Sequence, residues 1–196
     1  MNTLDYYNNN AKSYFDATIN ANMTQAYNVF LKYVNPNGLI LDLGCGSGRD
    51  SKYFLDKGYN VESIDGSLEL CKLASEYLGI TVKCMDFSEL DEISKYDGVW
   101  ACASLLHVKK EELKSIIIKI YKSLKNNAVF YISLKNGHEE EIINGKYYNY
   151  LTYDDFLGII NEIDGLELLE YYSSKTVLNN NESRNWNNFV FKKVEV

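Results

Sequence analysis

Residues 39–50 read L-I-L-D-L-G-C-G-S-G-R-D. Leu39-Ile40-Leu41-Asp42-Leu43 is a short, almost wholly apolar run, the kind of strand that is covered on both faces in a parallel sheet. It empties into a turn carrying Gly44, Gly46 and Gly48. Residues without a β-carbon let backbone amides come close to a ligand, and the start of the following helix offers unpaired N–H groups. A strand, a glycine turn and a helix in that order place a binding site at the carboxyl end of the strand.

The neighbouring segments repeat the alternation. Upstream, Met23, Ala26, Tyr27, Phe30, Leu31 and Val34 recur at helical spacing, with Pro36 and Gly38 ending the helix. Downstream, a helix over 52–57, a strand over 59–64 and a helix capped by Ser67 are predicted, and a strand over 81–85 closes the unit. A strand over 96–103, a helix after Lys109 and a strand over 128–134 follow. Thr152-x-x-Asp155 forms a capping box, with Gly165 placed to stop its helix. Residues 166–175 and 186–193 read as an antiparallel pair joined by a turn at Asn179-Asn180-Asn181. Five alternating units imply a doubly wound α/β sheet with helices on both faces, whose ligands sit at strand exits.

Composition narrows the chemistry. The chain has 196 residues, 46% hydrophobic and 24% charged, which suits one soluble domain. A net charge of −7 disfavours nucleic acid and anionic membrane surfaces as partners. No apolar stretch approaches the ~20 residues that span a bilayer, and the first residues do not read as a signal peptide, so a cytoplasmic protein is expected. Cys45, Cys71, Cys84 and Cys102 form no C-x-x-C pair, and His138 before three glutamates lacks a second histidine, so no metal is expected. Arginine and histidine are scarce: Arg49, Arg184, His107 and His138 against eighteen lysines.

The glycine turn suits two cofactor classes. A dinucleotide would bring a pyrophosphate dianion toward Asp42, whereas S-adenosylmethionine brings an ammonium and a sulfonium, which a carboxylate attracts. Position 49 is also arginine, where a dinucleotide fingerprint places glycine. Asp65, at the second strand exit, suits both hydroxyls of a ribose in either class. At the third exit, Asp86 suits an adenine amino group, with Leu68 and Phe87 as apolar walls for the purine.

On these motifs, D-L-G-C-G-S-G at 42–48, Asp65, Cys84-Met85-Asp86 and Y-D-G-V-W-A-C-A-S-L-L-H-V at 96–108, residues 38–134 resemble a class I S-adenosylmethionine-dependent methyltransferase. The resemblance implies a mostly parallel, Rossmann-like sheet of seven strands with an antiparallel C-terminal hairpin. It divides one domain, 1–196, into a helical lid (1–35), a cofactor-binding core (38–134) and acceptor-side segments (135–196). It further implies cofactor contacts from Tyr14, Asp42, Gly44, Cys45, Gly46, Arg49, Asp65, Gly66, Ser67, Asp86, Phe87, Ala101 and Cys102. Gly66 departs from the larger residue many members carry after the ribose acid. The fourth exit has neither an Asn-Pro-Pro-Tyr-like nor a catalytic cysteine motif, which argues against DNA-amine and base C5 methylation and leaves oxygen, nitrogen, sulfur or metalloid acceptors, with a small-molecule oxygen, nitrogen or sulfur nucleophile expected.

His107, just beyond the fourth strand, is the candidate general base. Tyr148, within the tyrosine-rich stretch 147–153, and Arg184 and Trp186 at the last strand are candidate acceptor contacts. Two alternatives stand beside this reading: a nicotinamide-dependent oxidoreductase, sharing the glycine turn and Asp65, and a non-catalytic cofactor-binding module.

Overall fold

In the computed structural model, which describes residues 2–177 and 183–195, the chain begins with three helices: α1 (Thr3–Asn9), α2 (Ala11–Thr18) and α3 (Thr24–Leu31). The alternating segment then runs β1 (Leu39–Leu43), α4 (Arg49–Asp56), β2 (Asn60–Asp65), α5 (Leu68–Leu78), β3 (Lys83–Cys84), β4 (Tyr96–Cys102), α6 (Lys110–Ser123) and β5 (Leu124–Lys135). The chain continues with β6 (Glu140–Ile143), β7 (Lys146–Asn149), α7 (Tyr153–Ile160), β8 (Leu166–Val177) and β9 (Ser183–Lys193). The expected turn at 179–181 lies outside the described residues.

Seven strands form one sheet in the order β3-β2-β1-β4-β5-β9-β8, parallel from β3 through β5 and antiparallel across β5-β9-β8. From β1 the chain winds outward through β2 to β3, then returns to place β4 on the other side of β1. Strand order therefore reverses between β1 and β4, and a crevice opens outside their carboxyl ends.

The central strands are apolar on both faces because both faces are covered. In β5, Phe130, Ile132 and Leu134 join a core with Leu113, Ile117 and Ile120 of α6, while Val129 and Tyr131 join Phe30 of α3 and Phe54 of α4. Trp100 of β4 lies on this second side, stacked on Tyr131 at a centroid distance of 3.9 Å. Each such fully buried ring contributes roughly 1.5–3 kcal/mol. Trp100 also has a polar edge, and its Nε1 donates to Asp50 at 2.9 Å.

Local signals account for several boundaries. Ser67 caps α5 by accepting from the Leu70 amide, and Thr152 and Asp155 make the expected capping box of α7. That helix ends at Ile160, earlier than Gly165 implied; Gly165 instead takes a positive φ of 87° at the turn into β8. The third strand is only Lys83–Cys84, both exposed, because it is the sheet edge and pairs only with β2. The hairpin β6-β7 was not anticipated. Its two-residue turn is Asn144-Gly145, with φ of 52° and 82°, the signs a type I′ turn demands.

Candidate active site

The crevice between β1 and β4 is a cleft with about 540 Å³ of empty space, partly open to solvent. Gly44 and Gly46 form its floor, Asp65 and Gly66 one side, Met85, Asp86 and Phe87 another, and Ala103, Ser104 and His107 the far end. Thr3, Leu4, Tyr7 and Tyr14 cover it from α1 and α2.

The glycine floor is a cradle. Gly44 has φ +82°, and a β-carbon there would lie 2.5 Å from Ser104 Cβ and 3.1 Å from Phe87. At Gly46, φ +54°, a β-carbon would meet Tyr14 at 3.1 Å. Gly66 answers to the lid instead: a β-carbon would lie 2.7 Å from Leu4 Cδ2, so this departure from the family pattern makes room for α1. At the exit of β4, Ala103 adopts φ +52°, a left-handed conformation disfavoured for residues with a β-carbon, and thereby turns the chain along the cleft wall.

Asp65 is held in place. Its two oxygens accept from the amides of Gly46 at 2.9 Å and Ser67 at 2.8 Å. Burial raises its carboxyl above the usual range, and the amides of Ser67, Gly46 and Gly66 oppose that shift by stabilising the anion. Each oxygen keeps a further lone pair for a ligand hydroxyl. Asp86 caps the short 3₁₀ turn at Phe87–Glu89 and lies exposed at the rim. Leu70, rather than Leu68, supplies the apolar wall with Phe87; Leu68 points outward and is 50% exposed.

At the far end, His107 Nδ1 lies 2.6 Å from the Tyr147 carbonyl, which can only accept, so Nδ1 carries the hydrogen. Nε2 is thus a lone pair, and the Tyr7 hydroxyl, 2.8 Å away, donates to it. Burial pushes the imidazolium pKa down to about 4; the Tyr147 carbonyl opposes this, and the cations of Lys146 and Lys135 reinforce it. The same Tyr7–His107 bond fastens α1 over the cleft. Further ties are Tyr147 N–H to Thr3 Oγ1 at 3.0 Å and Ser67 Oγ to Asn8 Oδ1 at 2.8 Å.

Several expected contacts sit a layer behind. Asp42 is 1% exposed and does not line the cleft; its Oδ2 accepts from Ser51 Oγ at 2.6 Å. Burial, and then the neighbouring Asp50, push its carboxyl well up, so the charge argument built on Asp42 does not rest on a carboxylate facing the ligand. Arg49 forks onto Asp50 at 2.6 and 2.9 Å and keeps its charge against burial through that partner. Cys45 packs with Cys71, Ala74 and Val82, and Ala101 is core. Ser67 serves as a cap, and Cys102 accepts from Ser133 Oγ. Tyr148 stands with its ring 4.9 Å from that of His107, while Arg184 and Trp186 lie on β9 outside the cleft. Thr3, Leu4, Tyr7 and Ser104 were missed as wall residues; the sequence placed Tyr7 in the lid but gave no partner for it.

Residues 40–127 match the family model described as a methyltransferase domain. Those residues carry a methyltransferase domain, in the fold of class I S-adenosylmethionine-dependent methyltransferases. An uncharacterized methyltransferase of Staphylococcus carnosus is 25% identical over 167 residues, 81% of this chain and 78% of that one. Among solved structures, the fold is shared with an S-adenosylmethionine-dependent methyltransferase of Methanosarcina mazei (TM-score 0.75, 18% identity, 87% of this chain and 99% of that one). It is also shared with the 1,6-didemethyltoxoflavin-N1-methyltransferase of Burkholderia thailandensis, determined with 1,6-didemethyltoxoflavin and S-adenosylhomocysteine bound (TM-score 0.76, 18% identity, 98% and 85%). The methyltransferase cleft fits that cofactor on its own terms: a floor closed to side chains, a carboxylate with lone pairs to spare, and a buried, unpartnered Ser104 Oγ on the wall. The nicotinamide alternative is set aside.

Proposed function

We propose that this methyltransferase methylates an oxygen, nitrogen or sulfur nucleophile of a small molecule, with the whole chain acting as one domain in the cytoplasm. The chain of hydrogen bonds Tyr7–His107–Tyr147 at the end of the cleft carries this reading. When bound, S-adenosylmethionine supplies an electrophilic methyl group on a positively charged leaving group. Gly44, Gly46 and Tyr14 hold its methionine portion, Asp65 its ribose, and Asp86, Met85, Phe87 and Leu70 its adenine. The Asp42–Ser51–Ser63 network supports the floor from behind.

The lid residues Leu4, Tyr7 and Tyr14 exclude water and align the reactants, and alignment alone can contribute ~7–11 kcal/mol. His107 Nε2 is the proton-accepting atom. Tyr7 Oη takes the proton of the acceptor as it passes its own to Nε2, so the phenol ends neutral and the imidazole charged. A base held near a pKa of 4 suits an acceptor that turns strongly acidic on methylation, which favours hydroxyl and thiol groups over amines. A narrow, lidded cleft and an acidic chain support a small acceptor over nucleic acid, and no helix of the described residues is long and apolar enough to cross a membrane. The test is a cell extract incubated with the enzyme and methyl-labelled donor, then separated by mass. Enzyme-dependent label in the low-molecular-mass fraction is expected; label confined to protein or RNA overturns the reading.

A further inference from the structure

Lys135, the last residue of β5, is 3% exposed, and its Nζ is buried with no hydrogen-bond partner. Among the described residues, no carboxylate lies within 4.0 Å of it. What it touches is aromatic: Nζ stands 3.5 Å from the centroid of the Tyr148 ring and 5.5 Å from that of Tyr150. Glu141 is an acidic group whose field reaches it, and Glu141 is already engaged by the Tyr150 hydroxyl at 3.0 Å.

Trp186 faces Lys135 directly across the β5-β9 pair, so both side chains leave the sheet on the same face. Its Nε1 is likewise buried without a partner. Arg184, two positions earlier on the same strand, shares that face, and its charge acts on Lys135. Two buried donors without an acceptor, Lys135 Nζ and Trp186 Nε1, therefore face each other at the carboxyl end of β5, with the Arg184 cation beside them. They are one aromatic ring from the methyl-transfer cleft, since Tyr148 touches Lys135 on one hand and His107 on the other. Burial and the cations Arg184 and Lys146 lower the Lys135 pKa to about 8, a tension that a bound anion relieves.

We propose that Lys135 and Trp186, with Arg184 behind them, bind an anionic oxygen group, a carboxylate or a phosphate, carried by the methyl acceptor. The inference rests on the methyltransferase reading of the neighbouring cleft. The anion takes the place of the Tyr148 π face as partner of the ammonium, and the displaced ring opens the path to His107. The uncharged Tyr148 π face leaves the N–H groups of the desolvated ammonium without an acceptor; an oxyanion accepts from both the ammonium and the indole N–H.

The test uses the full chain saturated with S-adenosylhomocysteine, titrated with benzoate, benzamide and inorganic phosphate while tryptophan emission is followed. Saturable binding of benzoate or phosphate, with benzamide at least tenfold weaker, is expected, and the stronger anion identifies the group. Lys135→Met keeps the side-chain length, so it should weaken anion binding at least tenfold, leave S-adenosylhomocysteine affinity unchanged and raise the melting temperature. Equal binding of benzoate and benzamide, or no loss in Lys135→Met, overturns the proposal. A lower melting temperature in Lys135→Met would equally overturn it, since that marks a structural cation held by the tyrosines. Failure of S-adenosylhomocysteine itself to bind would strike the methyltransferase reading instead, so the two failures are told apart.

Discussion

Alanine at Gly44 separates the cradle from mere backbone freedom. Gly44 and Gly79 both have positive φ, +82° and +69°, but a β-carbon at Gly44 would lie 2.5 Å from Ser104 Cβ, whereas at Gly79 nothing is within 4 Å. Holding a residue with a β-carbon in the left-handed region costs about 1–2 kcal/mol at either position. At Gly44 the neighbour is a β-carbon close to the main chain, so Ser104 itself must move, adding about 1–3 kcal/mol of overpacking. Gly44→Ala should therefore lose about 2–5 kcal/mol of stability and Gly79→Ala about 1–2. At roughly 2–4 °C per kcal/mol for a chain of this size, that is a melting shift of about 4–20 °C against about 2–8 °C. Because Ser104 lines the cleft, the displacement also reaches the ligand, and every 1.4 kcal/mol lost there is about tenfold in affinity. Differential scanning fluorimetry and isothermal titration with S-adenosylhomocysteine measure both quantities. Equal melting shifts in the two variants, with affinity unchanged in Gly44→Ala, would refute the reasoning.

Replacement of His107 by alanine should slow single-turnover methyl transfer by about 10²–10⁴-fold, and Tyr7→Phe should follow it, since the phenol is the link to Nε2; an unmodified rate in either variant removes that residue from the proton path. His107 should also mark the acid stability of the fold. Its folded pKa of about 4 lies below the unfolded 6.5, so the unfolded chain binds the extra proton, and stability is lost as pH falls from about 6.5 to 4, by roughly 3 kcal/mol at most. Urea unfolding of the protein and His107→Gln at pH 7 and pH 4.5 isolates that slope, which the variant should lack. Gly66→Ala carries no backbone strain but pushes on Leu4, so trypsin should cut faster at Lys12 with global stability nearly unchanged. Unaltered cleavage would mean Leu4 does not hold the lid.

Local chemistry made much of this fold legible. The apolar run at 39–43, the glycine turn and the caps at Ser67 and Thr152 are decided by residues within a few positions of one another, and the structure reproduces them. Asp65 lies where its strand ends, so it too could be read. The hairpin at 140–149 carried a signal, Asn144-Gly145, that the tyrosines around it concealed. Other features belong to contacts far apart in sequence. Asp42 reads as a carboxylate at a ligand, but its side chain falls on the face occupied by Ser51 and Ser63. Leu4 and Gly66, or Tyr7 and His107, meet only after the lid is folded. Lys135 follows an apolar run, and nothing in the local sequence sets it apart until the hairpin of Tyr148 and Tyr150 is laid over it.

The most direct measurement is isothermal titration of the full chain with S-adenosylhomocysteine, with nicotinamide dinucleotides run beside it. Saturable one-to-one binding of S-adenosylhomocysteine, weakened at least tenfold by Gly44→Ala and absent for the dinucleotides, is the expected result. No binding of S-adenosylhomocysteine or S-adenosylmethionine, alongside saturable binding of a dinucleotide, would contradict the placement of the cofactor in the cleft between β1 and β4.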